Sequence, residues 1–459
     1  FTCGRRFFST TAGVAAALVF ISIPWMAHVS IETYVDGALA CNAFLAFYAA
    51  AIALGVRNFS RTEREGEAPA EPQQRSARQE PRPPNRTIAL AGFLAGAAVS
   101  CKYPGLLFVV APLLVVLLFA HGWQESFSRV TLARVGVFLV AVLLGCGLWL
   151  GKNWALTGNP TYPLLYSTFD GKTRTPEKDQ QWRQAHAVPE DEYGRSYTPG
   201  QIGTAIEQIS VSSPWISPLL LPLAGFAFVN PQHRRKLLAI LGVFAFIIAM
   251  WFLLTHRIDR FWLPALPLLA LMAGVGVTAL DGPWWRRVVI ALLFWGLAWN
   301  FLLIAGILAP PKLLVNLESL QNDRPRVHPA HVWLNEHVPD GHAVLLVGDA
   351  QPFDLTMPAY YNTCFDDCDF EVLMKGKSKE ERLAALRERN ISHVFVQWSE
   401  IDRYRSPGNY GFTDYVTEVV FRELREQGVL GKPLGKKLSG SDQPDRWVGE
   451  IYPVALSDS

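Results

Sequence analysis

Long apolar runs are the feature that most constrains this chain. They recur from the beginning of the sequence to Ala309, and half of the 459 residues are hydrophobic. An apolar stretch of about 20 residues matches the roughly 30 Å hydrocarbon core of a bilayer. We therefore predict an α-helical polytopic membrane bundle of about nine transmembrane helices. The predicted segments are 11–29, 37–56, 88–101, 103–120, 132–150, 214–230, 237–254, 262–280 and 288–309.

The composition divides the chain into two predicted domains. Residues 1–310 form the membrane domain, which includes a loop at 151–213 and an Arg-, Glu- and Pro-rich linker at 58–87. The linker has too little apolar content to fold and is predicted to be disordered. Residues 311–459 are predicted to form a soluble α/β domain. The net charge of +2 gives no indication of nucleic-acid binding.

The tail shows the pattern of a parallel or mixed sheet with helices on its faces. The apolar runs 343–348 and 393–397 predict buried strands, and 379–390 predicts a helix that ends at Asn390. Further helices are expected at 329–338 and 411–428, and a last strand at 447–454. Gly348 and Asp349 follow a strand as in some nucleotide sites, but no Gly-rich fingerprint follows, so nucleotide binding is not predicted.

The distribution of Lys and Arg predicts the orientation. Cations cluster before the first segment, in the 58–87 linker, and after the fourth, sixth and eighth segments. If nine segments alternate, these positions share one side, which the positive-inside rule assigns to the cytoplasm. The hairpin 30–36, the corner at Lys102, the 151–213 loop, the 255–261 loop and the tail are then predicted to be extracytoplasmic.

Four basic residues occur in outer loops where cations are unexpected. Lys102 lies beside Tyr103 at a tight corner, and His256, Arg257 and Arg260 lie between two membrane segments. Arg clamps phosphate oxygens bidentately and Lys acts as a point charge, so these residues predict a lipid-phosphate site. The alternative is structural ion pairing, with Arg257 or Arg260 bonded to Asp259 or Asp36.

Two acidic residues in the first hairpin are candidate catalytic groups. Glu32 and Asp36 lie four residues apart, and a carboxylate there can act as a general base or hold a divalent metal. The alternative for Asp36 is capping of the following helix, and both roles can coexist. No cofactor other than this possible divalent metal is predicted.

The run 157–163 predicts a rigid turn at the membrane surface. Its two prolines and its Gly favour a turn, and Tyr162 and Asn159 are candidate sugar contacts. The alternative is an aromatic anchor without substrate contact. Trp25, His28 and His186 are weaker candidates, for which a structural role is favoured.

The start of the chain and its cysteines predict two further features. The sequence lacks an initiator Met and opens on Phe1, which predicts an N-terminal truncation. Cys364 and Cys368 are predicted either to form a local disulfide, if the tail faces an oxidising compartment, or to remain free thiols. Zinc is not expected, because no nearby His completes a ligand set.

Several short motifs, in this order and spacing, resemble integral-membrane glycosyltransferases of the GT-C fold. The closest types are polyprenyl-phosphate-mannose-dependent protein mannosyltransferases and aminoarabinose lipid A transferases. The matching stretches are 6–8 through 24–25, 34–38, 91–96 leading to 101–105, 157–160 and 260–267.

The resemblance implies a polyprenyl-phosphate-linked sugar donor, a lipid, glycan or protein acceptor, and transfer on the outer face of a bacterial plasma membrane. Asp36 matches the family's second acidic position, and Lys102 and Arg260 match cations near the carrier phosphate. The family's first acidic position has no counterpart, so the resemblance implies that this fragment is inactive. A flippase for lipid-linked glycans and a non-catalytic membrane assembly protein are the alternative functions.

Overall fold

The computed structural model describes residues 1–31, 34–55, 84–119, 127–172, 174–212, 216–305, 328–406, 409–434 and 449–455. The chain forms two compact units. The first comprises Phe1–Lys152 and Val188–Asn316, and the second comprises Asn153–Ala187 and Leu317–Ser459. Glu32 and most of the predicted linker lie outside the described residues.

Helices account for the first unit and for the beginning of the second. In chain order they are α1 (Thr2–Phe7), α2 (Thr10–Ser22), α3 (Pro24–Ile31), α4 (Asp36–Ala53), α5 (Pro84–Cys101), α6 (Ala111–Phe119), α7 (Arg129–Thr157), α8 (Tyr166–Phe169), α9 (Pro176–Ala185), α10 (Pro199–Glu207), α11 (Leu220–Phe226), α12 (Arg234–Leu254), α13 (Leu266–Gly276) and α14 (Pro283–Ile304). Helix α5 begins at Pro84, before the predicted end of the linker at residue 87. Proline suits the first helical turn because its missing N–H has no partner there in any case.

Fewer than nine helices in the described part of the chain have the length and composition of a membrane span. In the described part of the chain, four helices are long and apolar enough to cross a bilayer: Asp36–Ala53, Arg129–Thr157, Pro231–Leu254 and Pro283–Ile304. Helices α2 and α3 add a fifth span if they are counted together, although they bend by 62°. Nine spans are therefore not confirmed.

Breaks in the apolar runs explain this difference. The predicted segment 11–29 is interrupted at Ile23, just before Pro24, and the segment 262–280 begins as the 3₁₀ helix Asp259–Ala265, which contains Pro264. Proline removes a backbone donor and clashes with the preceding turn. Apolar composition alone thus identified helical regions without showing where each helix is broken.

Small residues allow the membrane helices to approach closely. A Cβ atom added to Gly96 of α5 would lie 2.1 Å from the Val142 carbonyl oxygen of α7, and one added to Gly92 would lie 2.4 Å from the Phe138 carbonyl oxygen. Gly92 and Gly96 form the Gly-x-x-x-Gly pattern by which helix backbones pack in bilayers. Helix α4 also packs against α5, where Ala43 and Ala95 are fully buried.

The second unit contains the predicted α/β tail. Its sheet has the order β2-β1-β3-β4; β1 is parallel to β2 and β3, and β4 is antiparallel to β3. The elements are α15 (Pro329–His337), β1 (Ala343–Val347), β2 (Ala359–Tyr360), α16 (Asp369–Met374), α17 (Lys379–Glu388), β3 (Ile391–Val396), α18 (Trp398–Arg405), α19 (Glu418–Glu426) and β4 (Glu450–Pro453). The mixed sheet agrees with the prediction, and Asn390 has the left-handed backbone (φ 53°) expected after a helix end.

Residues 153–187 belong to the second unit, whereas the sequence analysis placed 151–213 in the membrane domain. Lys178 Nζ donates to the Cys364 carbonyl oxygen at 2.9 Å, and the Tyr162 hydroxyl donates to Asp366. These bonds join the segment to the tail through partners about 200 residues later in the chain, which local patterns cannot show. Cys364 and Cys368 are buried free thiols, and burial raises the pKa of each to about 11.

We predict that Gly96→Val destabilises the first unit, because the added side chain must displace the α7 backbone. Overpacking of this kind costs about 1–3 kcal/mol. The matched control is Gly147→Val on α7, where an added Cβ meets no atom within 4 Å. Thermal unfolding in detergent should show a lower midpoint for Gly96→Val only. Equal midpoints for both variants would contradict the close α5–α7 crossing.

Candidate functional site

Asp36 is a buried carboxylate at the start of α4. It is the first helical residue, and the N-cap is Val35, which makes no side-chain capping bond. The predicted capping role of Asp36 is therefore wrong. Its carboxylate, with the side chain 2% exposed, instead accepts a hydrogen bond from Lys102 Nζ at 2.7 Å. Its negative charge also lies favourably at the positive end of the helix dipole.

Lys102 connects α4 to the loop before α13. It directly follows α5, and its ammonium lies 4.2 Å from the centroid of the Phe261 ring as well as against Asp36. Phe261 belongs to the 3₁₀ helix Asp259–Ala265, which packs against α4. Cation–π attraction and the ion pair together hold this flexible side chain in one place. The Lys102 side chain remains 22% exposed.

Arg260 brings a second cation to the same site. Its Cζ atom lies 4.5 Å from the centroid of the Tyr34 ring, and its positive charge repels that of Lys102. The Arg260 Nε atom is buried and has no acceptor among the described residues. Asp36 is bonded to Lys102 rather than to an Arg, so that predicted alternative pairing is not formed. The predicted pairing with Asp259 lies outside the described side chains.

Aromatic side chains surround these charges. The ring of His28 lies 5.6 Å from that of Trp25 and 5.8 Å from that of Tyr34. On the other side, the His256 ring lies edge to face against Phe261 at 4.9 Å. From the sequence, Trp25 and His28 are only weak candidates and Phe261 is not a candidate. Trp25 and His28 are three residues apart on α3, and this spacing is the sequence signal that they share one face of the helix.

Arg257 is held by backbone groups. Its Nε donates to the Phe252 carbonyl oxygen at 3.0 Å, a second guanidinium nitrogen donates to the Ser196 carbonyl oxygen, and its Cζ lies 3.9 Å from the Phe252 ring centroid. These bonds occupy the guanidinium in support of a turn. The Tyr103 hydroxyl accepts a hydrogen bond from Trp149 Nε1 at 3.3 Å. No described contact brings either residue to Asp36.

Asn159 and Tyr162 lie in the second unit. The Asn159 amide donates to the carbonyl oxygens of Leu164 and Asp170, and its Oδ1 accepts from Thr161. Asn159 is fully buried, so its amide organises the turn that follows α7. The Tyr162 hydroxyl is bonded to Asp366. These contacts correspond to the structural alternative for this run, and Glu32 lies outside the described residues.

The cluster of Asp36, Lys102 and Arg260 carries one negative and two positive charges. The net charge of +1 and the unpartnered Arg260 Nε suit an anion that presents several oxygens. A guanidinium in a region of low dielectric interacts strongly with such an anion. In the described part of the chain, no group of three His, Cys, Asp or Glu side chains is placed to hold a metal ion.

Comparisons with known proteins identify the fold. No protein-family model matches the chain, and no curated protein matches it either. Among solved structures, ArnT from Cupriavidus metallidurans bound to undecaprenyl phosphate matches with a TM-score of 0.52 and 12% identity, over 99% of this chain and 81% of that one. The chain has the GT-C glycosyltransferase fold. At this identity the match shows a shared fold and not a shared reaction.

Two other solved structures are similar to a lesser degree. Arabinofuranosyltransferase AftD from Mycobacteria matches with a TM-score of 0.42 and 15% identity, over 98% of this chain and 33% of that one. The oligosaccharyltransferase of Archaeoglobus fulgidus matches with a TM-score of 0.40 and 11% identity, over 86% and 56%. Both scores are too low to establish a common fold. With its apolar helices, the GT-C fold makes this chain an integral membrane protein.

We predict a strong energetic coupling between Asp36 and Lys102. Lys102→Met leaves a buried carboxylate without its partner and should lower the free energy of unfolding by about 2–3 kcal/mol. Combining it with Asp36→Asn should restore part of that loss, because no unpaired charge remains. Unfolding in mixed detergent micelles gives the free energy of unfolding of the unaltered chain, of each single variant and of the double variant, which together form a double-mutant cycle. The exposed pair Asp191–Arg195 of the same unit is the control, and its expected coupling is much smaller. Additive effects at Asp36 and Lys102 would refute the prediction.

Proposed function

We propose that this protein is a membrane glycosyltransferase that moves a sugar from a polyprenyl-phosphate carrier to a lipid, glycan or protein acceptor. The observation that carries the proposal is the Arg260 guanidinium, which lies beside the Asp36–Lys102 pair with a buried Nε that lacks an acceptor. A buried polar group without a partner is costly unless a ligand satisfies it. A phosphate oxygen is the acceptor that an Arg fork fits best.

The three charged groups have different roles in this proposal. Arg260 clamps the carrier phosphate, and Lys102 adds a second positive charge. Asp36 positions Lys102, since the 2.7 Å bond fixes its ammonium. The aromatic rings of Tyr34 and Phe261 lie against Arg260 and Lys102, respectively, and help to hold them in place. This arrangement is formed before the ligand binds, so little reorganisation is needed.

Charge stabilisation is the main contribution that we assign to this site. Transfer breaks the bond between the sugar's anomeric carbon and the carrier's phosphate oxygen, while an acceptor oxygen forms a new bond to that carbon. Negative charge develops on the departing phosphate, where Lys102 and Arg260 stabilise it. The acceptor's proton passes to a carboxylate, and Asp36, which keeps its bond to Lys102, is our candidate for that base.

The membrane topology supports an extracytoplasmic reaction. The positive-inside distribution of Lys and Arg favours the outer face for the start of α4, the Lys102 corner and the 255–261 loop. The structure brings residues from these three segments together. ArnT, which has the same fold, is described as bound to undecaprenyl phosphate. These observations favour a polyprenyl phosphate as ligand and an extracytoplasmic position for the tail.

We predict that Arg260→Gln weakens binding of a polyprenyl phosphate by tenfold or more, because the variant loses the charge and the bidentate fork. The measurement is titration of undecaprenyl phosphate against the purified protein in lipid nanodiscs. The control is Lys152→Gln, which removes an exposed cation that lies against Trp149. It should bind the carrier as the unaltered chain does.

The same variants test the reaction. Membranes that contain the protein are supplied with radiolabelled polyprenyl-phosphate sugar, and transfer of label to an acceptor is followed. Arg260→Gln and Asp36→Asn should both reduce transfer relative to Lys152→Gln. Carrier binding that is identical in Arg260→Gln and in the unaltered chain would refute the phosphate site on its own, whatever the transfer assay shows.

A further inference from the structure

A polar cavity of about 290 Å³ lies in the second unit, at one edge of its sheet. Its lining includes Gly348 and Asp349, which directly follow β1, and Gln397, which directly follows β3. Strands β1 and β3 are adjacent and parallel. The cavity is therefore at the carboxyl ends of two neighbouring parallel strands.

The strand order makes this position a topological switch point. From β1 the chain continues to β2 on one side, and from β3 it continues to β4 on the other side. Connections that leave in opposite directions open a crevice between the two strand ends. Ligands of open α/β sheets bind in such crevices.

His331 supplies an unsatisfied hydrogen-bond acceptor. Its Nε2 lies 2.8 Å from Asp349 Oδ2. Because a carboxylate can only accept, Nε2 carries the hydrogen, and in the neutral ring Nδ1 is left as an acceptor. His331 is 1% exposed, and its Nδ1 is buried with no partner among the described residues.

Two other lining residues also carry unsatisfied groups. His328 Nδ1 accepts the Ala330 backbone N–H at 3.2 Å, so its buried Nε2 is a donor, again without a described partner. Burial and the neighbouring His331 lower the pKa of His328, which keeps its ring neutral. Gln397 is 8% exposed; its Nε2 donates to Ser399 while its Oε1 has no described partner.

Charge narrows the class of ligand. Asp349, Asp354 and Glu400 line the cavity, and their carboxylates repel an anion. In the described part of the chain, no three metal-ligating side chains gather. The unsatisfied groups are the His328 Nε2 atom, the His331 Nδ1 atom and the Gln397 Oε1 atom. A hydroxyl group both donates and accepts, so a ligand with several hydroxyls matches them all.

The size and surroundings of the cavity narrow the class of ligand further. The volume is near the lower end of ligand pockets, which is about 300 Å³, and suits a single sugar ring. Phe353, between the lining residues Gln351 and Asp354, is 88% exposed. An exposed aromatic ring beside a polar pocket offers apolar surface to the C–H face of a sugar.

We propose that this cavity binds a neutral monosaccharide unit, with hydrogen bonds from its hydroxyls to His328, His331 and Gln397. The proposal rests on the cavity's own donors and acceptors and not on the transfer reaction proposed above. The second unit would then recognise a sugar independently of the carrier phosphate.

The test is a titration of the full chain in nanodiscs with free D-glucose, D-mannose, D-galactose and L-arabinose, followed by saturation-transfer NMR. The binding signal of at least one sugar should reach saturation. Gln397→Leu should weaken that sugar's binding about tenfold through loss of an acceptor. Asp354→Arg, an exposed substitution that leaves folding intact, should weaken it at least as much by filling the cavity mouth. Asp340→Arg makes the same charge change on an exposed residue outside the cavity and should bind normally.

Any of four results would overturn this proposal. One is that no sugar saturates, and another is that both cavity variants bind like Asp340→Arg. The third is saturation by inorganic phosphate or Ca²⁺ in place of a sugar. Asp36→Asn distinguishes this cavity from the membrane site, by which we mean the cluster of Asp36, Lys102 and Arg260. It should bind the sugar normally even if the proposed transfer reaction is wrong, and loss of sugar binding in that variant would also count against the cavity.

Discussion

The ion pair between Asp36 and Lys102 is the interaction on which the membrane site depends. It joins the start of α4 to the corner after α5, residues that are 66 positions apart in the chain. A charge removed from water is tolerated only with a partner or a ligand. Because Lys102 satisfies Asp36, the remaining positive charge in the cluster is that of Arg260, and this charge is the reason that we propose an anion as the ligand.

The packing of the surrounding helices determines the distance between Lys102 and Asp36. Lys102 reaches Asp36 because α5 packs closely against both α4 and α7 through Ala and Gly residues. Larger side chains along these crossings would push the helix ends apart. A 2.7 Å hydrogen bond does not survive a displacement of 1 Å, since donor–acceptor distances beyond about 3.5 Å no longer count as bonds. The small residues at these helix crossings are therefore needed for the ion pair, although they lie far from the charges.

The sequence predicted the parts of the fold that depend on local pattern. The strands at 343–347 and 391–396, the helix at 379–388 and the left-handed Asn390 follow from periodicity and capping rules. The excess of cations in loops predicted to be extracytoplasmic also selected Lys102 and Arg260. It could not separate Arg260 from Arg257, because the backbone acceptors that occupy Arg257 come from Ser196 and Phe252. The position of 153–187 likewise depends on long-range contacts.

The two candidate sites differ in what they can recognise. The cluster of Asp36, Lys102 and Arg260 carries net positive charge, which suits an anion. The cavity in the second unit has hydrogen-bonding groups beside carboxylates, and these carboxylates would repel an anion. The absence of a Gly-rich fingerprint after Gly348 argued against a nucleotide there, and the acidic lining supports the same conclusion by a different route. A sugar and its phosphate carrier have these two complementary chemistries, and we propose that each unit of the chain recognises one of them.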